Sequence, residues 1–358
     1  MKPVMTSKER VMTTFSHQEP DRVPVGYFAN GGIDRRLHQA LGLKEGEWVG
    51  AALGVDYRGI WVPYKGKRLH PEVEGRGVNE EWGIRTRWIE HPTGGYWDYC
   101  DFPLCEADEE TIAKWPMPDP DDFDYSSIAE QCRRNDSFAL HAGHGGLGDI
   151  INMTGMLRSM EQVLVDLATD DPAGLLLIDR RIDIMVEVTR RTLEAAKGKI
   201  DFLWLGEDLG TQNSPIMSLE MFRKHIRPRH QRFVDLAKSF GIPTIIHTCG
   251  SSSWAYEDFI EMGINGVDTL QPEATNMSPE YLKQRFGGRL FFHGCISTAG
   301  PVAYGTPAEV TEYCRRTLEI MMPGGGYCFA PTHALQDNSP TENVLAMYEA
   351  ARQYGVYR

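Results

Sequence analysis

Eight short apolar runs, separated by stretches of helical spacing, constrain this 358-residue chain more than any other feature. They lie at 23–28, 56–61, 138–141, 202–206, 244–247, 266–270, 290–293 and 326–330, and most are rich in β-branched or aromatic residues. Apolar runs alternating with amphipathic segments are the pattern of a parallel sheet covered by helices. Eight of them predict an α/β fold closed into a (β/α)8 barrel, a TIM barrel, with residues 1–358 as a single domain.

The alternation is cleanest in the second half, where 218–240, 252–262, 278–286, 307–322 and 341–354 read as crossover helices. Thr306-Pro307 and Ser278-Pro279 each set a capping hydroxyl before a first-turn proline, and Gly241, Gly263 and Gly287 follow helices as terminators. The start, MKPVMTSKERVMTTF, reads as an N-terminal amphipathic helix capped by Thr6 or Ser7, without the apolar core of a signal peptide. Residues 64–104 depart from the rule. Trp82, Ile84, Thr86 and Trp88, then Tyr96, Trp97 and Tyr99, alternate with polar residues around Pro92 and Gly94-Gly95. That spacing predicts an antiparallel β-hairpin inserted after the second strand, on the active-site side of the barrel, as a substrate lid or a structural flap.

Composition narrows the function classes. Hydrophobic residues at 41% and charged residues at 24% supply a core, and no apolar stretch reaches the roughly 18 residues of a membrane span. A net charge of -13, with acids spread along the chain, argues against binding nucleic acid, which relies on clustered Lys and Arg. Seven irregularly spaced cysteines point to reduced thiols in the cytoplasm, some of them candidate metal ligands.

In a barrel the residues just past the strand ends face the site. Here they include Asn30, His141, His144, Glu207, Asp208, His247, Cys249, Gln271, Glu273, His293, Cys295 and His333. In His247-Thr-Cys249, residues two apart on a strand share a face, so an imidazole and a thiolate can reach one ion, and zinc accepts that pair. His293-Gly-Cys295 repeats the spacing, as a third ligand or as a rival pair, and His333 and Glu207 are further candidates. Adjacent carboxylates at a strand end point apart, so only one of Glu207 and Asp208 is expected in the pocket, as ligand, acid or base, the alternative being a helix cap or ion pair. His225 and His230 read as surface groups of a polar helix, and Cys328 as core. The glycine-rich 141–149 lacks the Lys-Ser/Thr of a phosphate loop and reads as a tight turn.

The chain resembles the uroporphyrinogen decarboxylase superfamily along nearly its whole length. The resemblance rests on SKERVMTTFSHQEPDRVPVGYF at the start, His247-Thr-Cys249-Gly in the middle and GGGYCFAPTHALQDNSPTENVLAMYEAARQYG at the end. The decarboxylases' Arg-rich motif after the first strand is missing, since 27–34 reads YFANGGID, and a multiply carboxylated substrate needs cationic partners. The resemblance therefore favours the corrinoid-dependent methyltransferase branch. Its zinc-binding coenzyme M methyltransferases carry a third ligand, a cysteine, seven residues before the proline of a Pro-x-Glu-Asn segment. Here the segment starts at Pro340 and the residue is His333, which implies zinc on His247, Cys249 and His333 and argues against the thiol-methylating subtype.

The implied activity moves a methyl group from a small methylated donor, an aryl methyl ether above all, to the cobalt(I) of a corrinoid on a separate protein, with zinc as Lewis acid. On this reading His141, Asp208 and His293 are catalytic, and His141 or His293 protonates the departing oxygen. Tyr27, Asn30, His144, Gln271 and Trp97 bind substrate, with Trp82, Trp88 and Trp97 as candidates to sandwich an aryl ring. Glu207, His247, Cys249 and His333 hold metal. No corrinoid-binding module is evident after the barrel, so the corrinoid protein is expected as a partner, and a homodimer stays open. Alternatives are a decarboxylase of a smaller substrate, a methylcorrinoid:folate or thiol methyltransferase, and a binding protein that keeps the barrel without catalysis.

Overall fold

The computed structural model describes residues 4–91 and 94–358. Its strands are β1 (Tyr57–Ile60), β2 (Gly77–Val78), β3 (Arg85–His91), β4 (Gly94–Tyr99), β5 (Ala139–Gly143), β6 (Phe202–Gly206), β7 (Thr244–Thr248), β8 (Gly266–Thr269), β9 (Phe291–Ile296) and β10 (Tyr327–Pro331). Seven of them form one parallel sheet in the order β1-β5-β6-β7-β8-β9-β10, a mixed α/β architecture of TIM-barrel type. Strands such as β9 and β10 are buried at every residue, which is why they read as unbroken apolar runs.

The first expected run, 23–28, does not form a regular strand but still spans the gap between the sheet edges. Phe329 N–H donates to Pro24 O and Gly26 N–H to Phe329 O, both at 2.8 Å, while Asp56 N–H donates to Val25 O at 3.0 Å on the other side. The ladder stops there for two reasons. Pro24 has no N–H, and the N–H of Val25 goes to the Asp56 carboxylate at 2.9 Å. Asp56 itself is fully buried and paired with Arg10 and Arg22, each at 2.7 Å.

Arg10 belongs to the helix Ser7–Phe15, which starts at Thr6 in a capping box with Glu9. This helix covers the amino-terminal end of the barrel. Phe15 stacks on Phe291 at 4.3 Å and tilts against Phe202 at 5.4 Å, and Val11 joins the same cluster. Each such buried apolar side chain contributes about 1.5–3 kcal/mol. With that end filled, the strands' carboxyl ends are left to build a site.

The crossover helices largely match expectation, with two corrections. The segment expected as one helix over 218–240 is Leu219–Met221, a π-helical turn Phe222–Ile226, and Arg227–Ser239. Pro228 lacks the N–H an α-helical turn needs, and the wider π turn precedes it. Gly241 and Gly263 take left-handed φ of 71° and 93°, but Gly287 stays at −60° and ends its helix without that reversal.

The insertion is a three-stranded antiparallel sheet in the order β2-β3-β4, one short strand more than the expected hairpin. Pro92, in the expected turn, lies outside the described residues. Ile84 anchors the insertion in a small core with Leu104, Ile112, Leu157 and Leu177. Trp82 packs against that core with the Arg181 guanidinium 5.3 Å from its ring centroid, so its role is structural. No helix among the described residues is long and apolar enough to cross a membrane.

Candidate active site

A cavity of ≈ 480 Å³ opens at the carboxyl ends of the strands, with Tyr57, His141, Trp204 and His293 on its floor and Phe28, Trp61, His144 and His333 towards the mouth. The floor is a close ring cluster: Trp204 lies 5.7 Å from Tyr57, 5.0 Å from His141 and 5.1 Å from His293, centroid to centroid. Phe28 and Trp61 are 58% and 53% exposed, so the rim presents bare aromatic surface. Among the described residues, no Arg or Lys lines the cavity.

His247, Cys249 and His333 offer ligand atoms that all lie within 4.8 Å of one another, and Cys249 Sγ is 3.4 Å from His247 Nε2. The glycine turn after β5 makes room for this group, since a Cβ at Gly145 would come within 2.9 Å of His247 Cγ. Two imidazoles and a thiol suit zinc, whose bonds to nitrogen and sulfur run about 2.0–2.3 Å, so closing the group on one ion takes small side-chain shifts.

Asp268, in the middle of β8, orders these rings, and sequence reasoning missed it. Its Oδ2 accepts from His247 Nδ1 at 2.8 Å and its Oδ1 from His293 Nδ1 at 2.5 Å. Holding a proton on Nδ1 directs Nε2 of His247 towards Cys249, where a bound metal would displace the Nε2 proton. Nε2 of His293 in turn accepts from the Tyr57 hydroxyl. Burial pushes the His247 pKa down, but the hydrogen bonds to Asp268 and Cys249 outweigh it and hold it well above the usual value. Burial likewise raises Asp268, and the two imidazoles reverse that, holding its carboxyl low. The sign that could have found Asp268 is a lone carboxylate inside the apolar run Gly-Val-Asp-Thr-Leu.

Several expected site residues lie elsewhere. Glu207 is not with the trio: its two oxygens accept from the N–H groups of Ile150 and Ile151, 2.9 and 3.0 Å away, at the start of the helix Ile151–Arg158. Burial pushes its pKa up to about 8. Asp208 points the other way, as adjacent residues should, and accepts from Cys249 N–H at 2.8 Å and Asn152 Nδ2 at 2.9 Å; it positions the thiol's backbone. His230, expected at the surface, is fully buried, with Nε2 3.0 Å from Gly148 O and 3.3 Å from Glu207, and His225 is buried as well.

Tyr27 and His144 line the cavity, whereas Asn30, Gln271 and Trp97 do not. Asn30 caps the helix Gly31–Ala40, Gln271 Oε1 accepts from Gly250 N–H at 2.6 Å, and Trp97 stands 56% exposed on the insertion, edge-on to Trp88. The expected proton donors are also corrected. His293 is bonded at both nitrogens, and burial drives His141 down to about 3, leaving it neutral. A donor the geometry does offer is His144: its Nδ1 accepts from Gly146 N–H at 2.9 Å, which leaves the proton on Nε2.

The model of the uroporphyrinogen decarboxylase (URO-D) family matches residues 150–354. The chain is also similar to the methylcobamide:CoM methyltransferase MtbA of Methanosarcina acetivorans, at 22% identity over 147 residues, a stretch covering 40% of each protein. Among solved structures, a methyltransferase from Methanosarcina mazei superposes with a TM-score of 0.62 and 19% identity, covering 98% of this chain and 99% of that one, a likeness of fold.

Proposed function

The chain belongs to the uroporphyrinogen decarboxylase family, and from that premise we propose that it is a corrinoid-dependent methyltransferase that takes methyl from an aryl methyl ether. The observation that carries this reading is a three-ligand group, His247, Cys249 and His333, at an aromatic cavity that no Arg or Lys lines among the described residues. A multiply carboxylated porphyrinogen needs cationic partners, which this lining does not offer. The similarity to a methylcobamide:CoM methyltransferase supports a corrinoid as reaction partner.

In the proposed reaction the methyl–oxygen bond breaks, the methyl passes in line to the cobalt(I) of a corrinoid on a separate protein, and the oxygen leaves with the bonding pair. His247, Cys249 and His333 would hold zinc, which supplies Lewis acidity to that oxygen when bound. His144 Nε2–H is the chain's own donor for the departing phenolate. The bare rings of Phe28 and Trp61 at the rim form the landing place for the corrinoid face, while the cavity walls keep the aryl ring out of water.

The test is methyl transfer from methoxyarenes to a reduced corrinoid protein, followed by the change in the cobalt spectrum, with zinc measured in the same samples. About one zinc per chain and turnover that both collapse in Cys249→Ala support the reading. Turnover undiminished in that variant would sink the metal role, and methylcorrinoid consumed by a thiol instead of formed from an ether would reverse the direction.

A further inference from the structure

We infer that the methyl donor carries a hydroxyl group that hydrogen-bonds to Nε2 of His141, so that an uncharged hydroxylated methoxyarene, not a methoxybenzoate, is the class this cavity takes. The inference rests on the aryl-ether reading above and narrows it.

His141 sits on β5 with its ring against Phe202 at 5.2 Å and Trp204 at 5.0 Å, and it is 7% exposed, on the cavity floor. Nδ1 lies 3.1 Å from Gly143 O. A carbonyl oxygen only accepts, so the ring proton is on Nδ1 and the lone pair is on Nε2. No described residue donates to that nitrogen. Burial disfavours a second proton on the ring, so the group stays an acceptor. Of the neighbouring floor groups, Tyr57 is committed to His293 and His293 to Asp268, while the buried Nε1–H of Trp204 has no partner among the described residues. An open acceptor and an open N–H on one floor select a ligand group that both donates and accepts, as a hydroxyl does.

Charge selects in the same direction. The Asp268 carboxylate is taken up by the His247 and His293 imidazoles, and no lining Arg or Lys among the described residues could pair with a carboxylate on the ligand. The sheet register separates the two ends of the ligand. His141 pairs with Phe202, whereas His247 pairs with Gly206, four residues nearer the carboxyl end of the same strand. A ring lying between them turns its hydroxyl to the floor and its methoxy group to the trio.

Calorimetric titration of the full chain, with zinc supplied, compares methoxyphenol, anisole and methoxybenzoate. Wild type is expected to bind methoxyphenol at least about tenfold tighter than anisole, and methoxybenzoate weakest. His141→Phe should bring methoxyphenol down to the level of anisole, and His141→Gln, which keeps an acceptor oxygen, should restore part of the preference. Equal binding of methoxyphenol and anisole by wild type overturns the inference without needing any variant to fold. So does a preference that survives His141→Phe, or methoxybenzoate binding as tightly as methoxyphenol. Failure of all three to bind overturns the aryl-ether reading together with it.

Discussion

His247-Thr-Cys249 on β7 and His293-Gly-Cys295 on β9 share a spacing, a depth in the chain's βα alternation and even a carboxylate, yet they come to opposite ends. After β7 the backbone keeps the cysteine beside the histidine, Sγ to Nε2 at 3.4 Å. At β9, Gly294 and Cys295 take left-handed φ of 124° and 65°, which turns the thiol into the core, where it is fully buried and burial raises its pKa beyond reach. Tyr327 and Tyr313 lock this turn by donating to the carbonyls of Gly294 and Cys295 at 2.9 and 3.0 Å. Two residues on one face is thus a property of regular strand, and a two-residue kink removes it.

The largest expected effect separates the two thiols directly. Cys249→Ala should abolish stoichiometric zinc, whereas Cys295→Ala should leave it intact and cost about 1 kcal/mol of stability by urea denaturation. Zinc loss in both variants would put the second motif back in the metal site. Next comes the shared carboxylate. Asp268→Asn keeps one acceptor for two imidazole protons, and zinc affinity by chelator competition should fall about 10–100-fold. An unchanged affinity would mean that His247 orients itself without help.

A smaller effect tests the kink. Gly294→Ala puts a Cβ within 2.5 Å of Thr269 O at a φ that L residues avoid, and should cost at least about 1–3 kcal/mol with zinc binding preserved. The smallest lies outside both motifs. Burial holds Asp149 up to about 7 and Glu207 up to about 8, so the folded chain binds these protons more tightly than the unfolded one. Their contribution is complete at acid pH and is lost as pH rises from the ordinary carboxylate range through those values. The denaturation midpoint should drift down over that range, and Glu207→Gln should flatten part of the drift.

The architecture was legible because barrel strands buried on both faces must be apolar and short, and seven of the eight runs became strands close to where they were read. The eighth resisted because Pro24 and the Asp56 carboxylate take away the bonds a ladder needs. Within the site, the trio was legible from spacing and resemblance. Asp268 was not, because a carboxylate inside an apolar run reads as strand until the flanking histidines are seen to meet it. Glu207 misled for the converse reason: it stands at a strand end, but its side chain satisfies the N–H groups of a helix start behind the site.

By itself, then, the sequence determined the layer architecture, the helix starts at Ser278 and Thr306, and the spacing that can bring a histidine and a cysteine to one face, because these follow from local periodicity and nearest-neighbour chemistry. Tertiary structure alone decided which of two equal motifs faces the cavity, which histidine nitrogens carry protons and which acids are turned away. Those outcomes depend on backbone kinks and on partners as far apart as Tyr57 and His293, and no local pattern encodes a contact of that range.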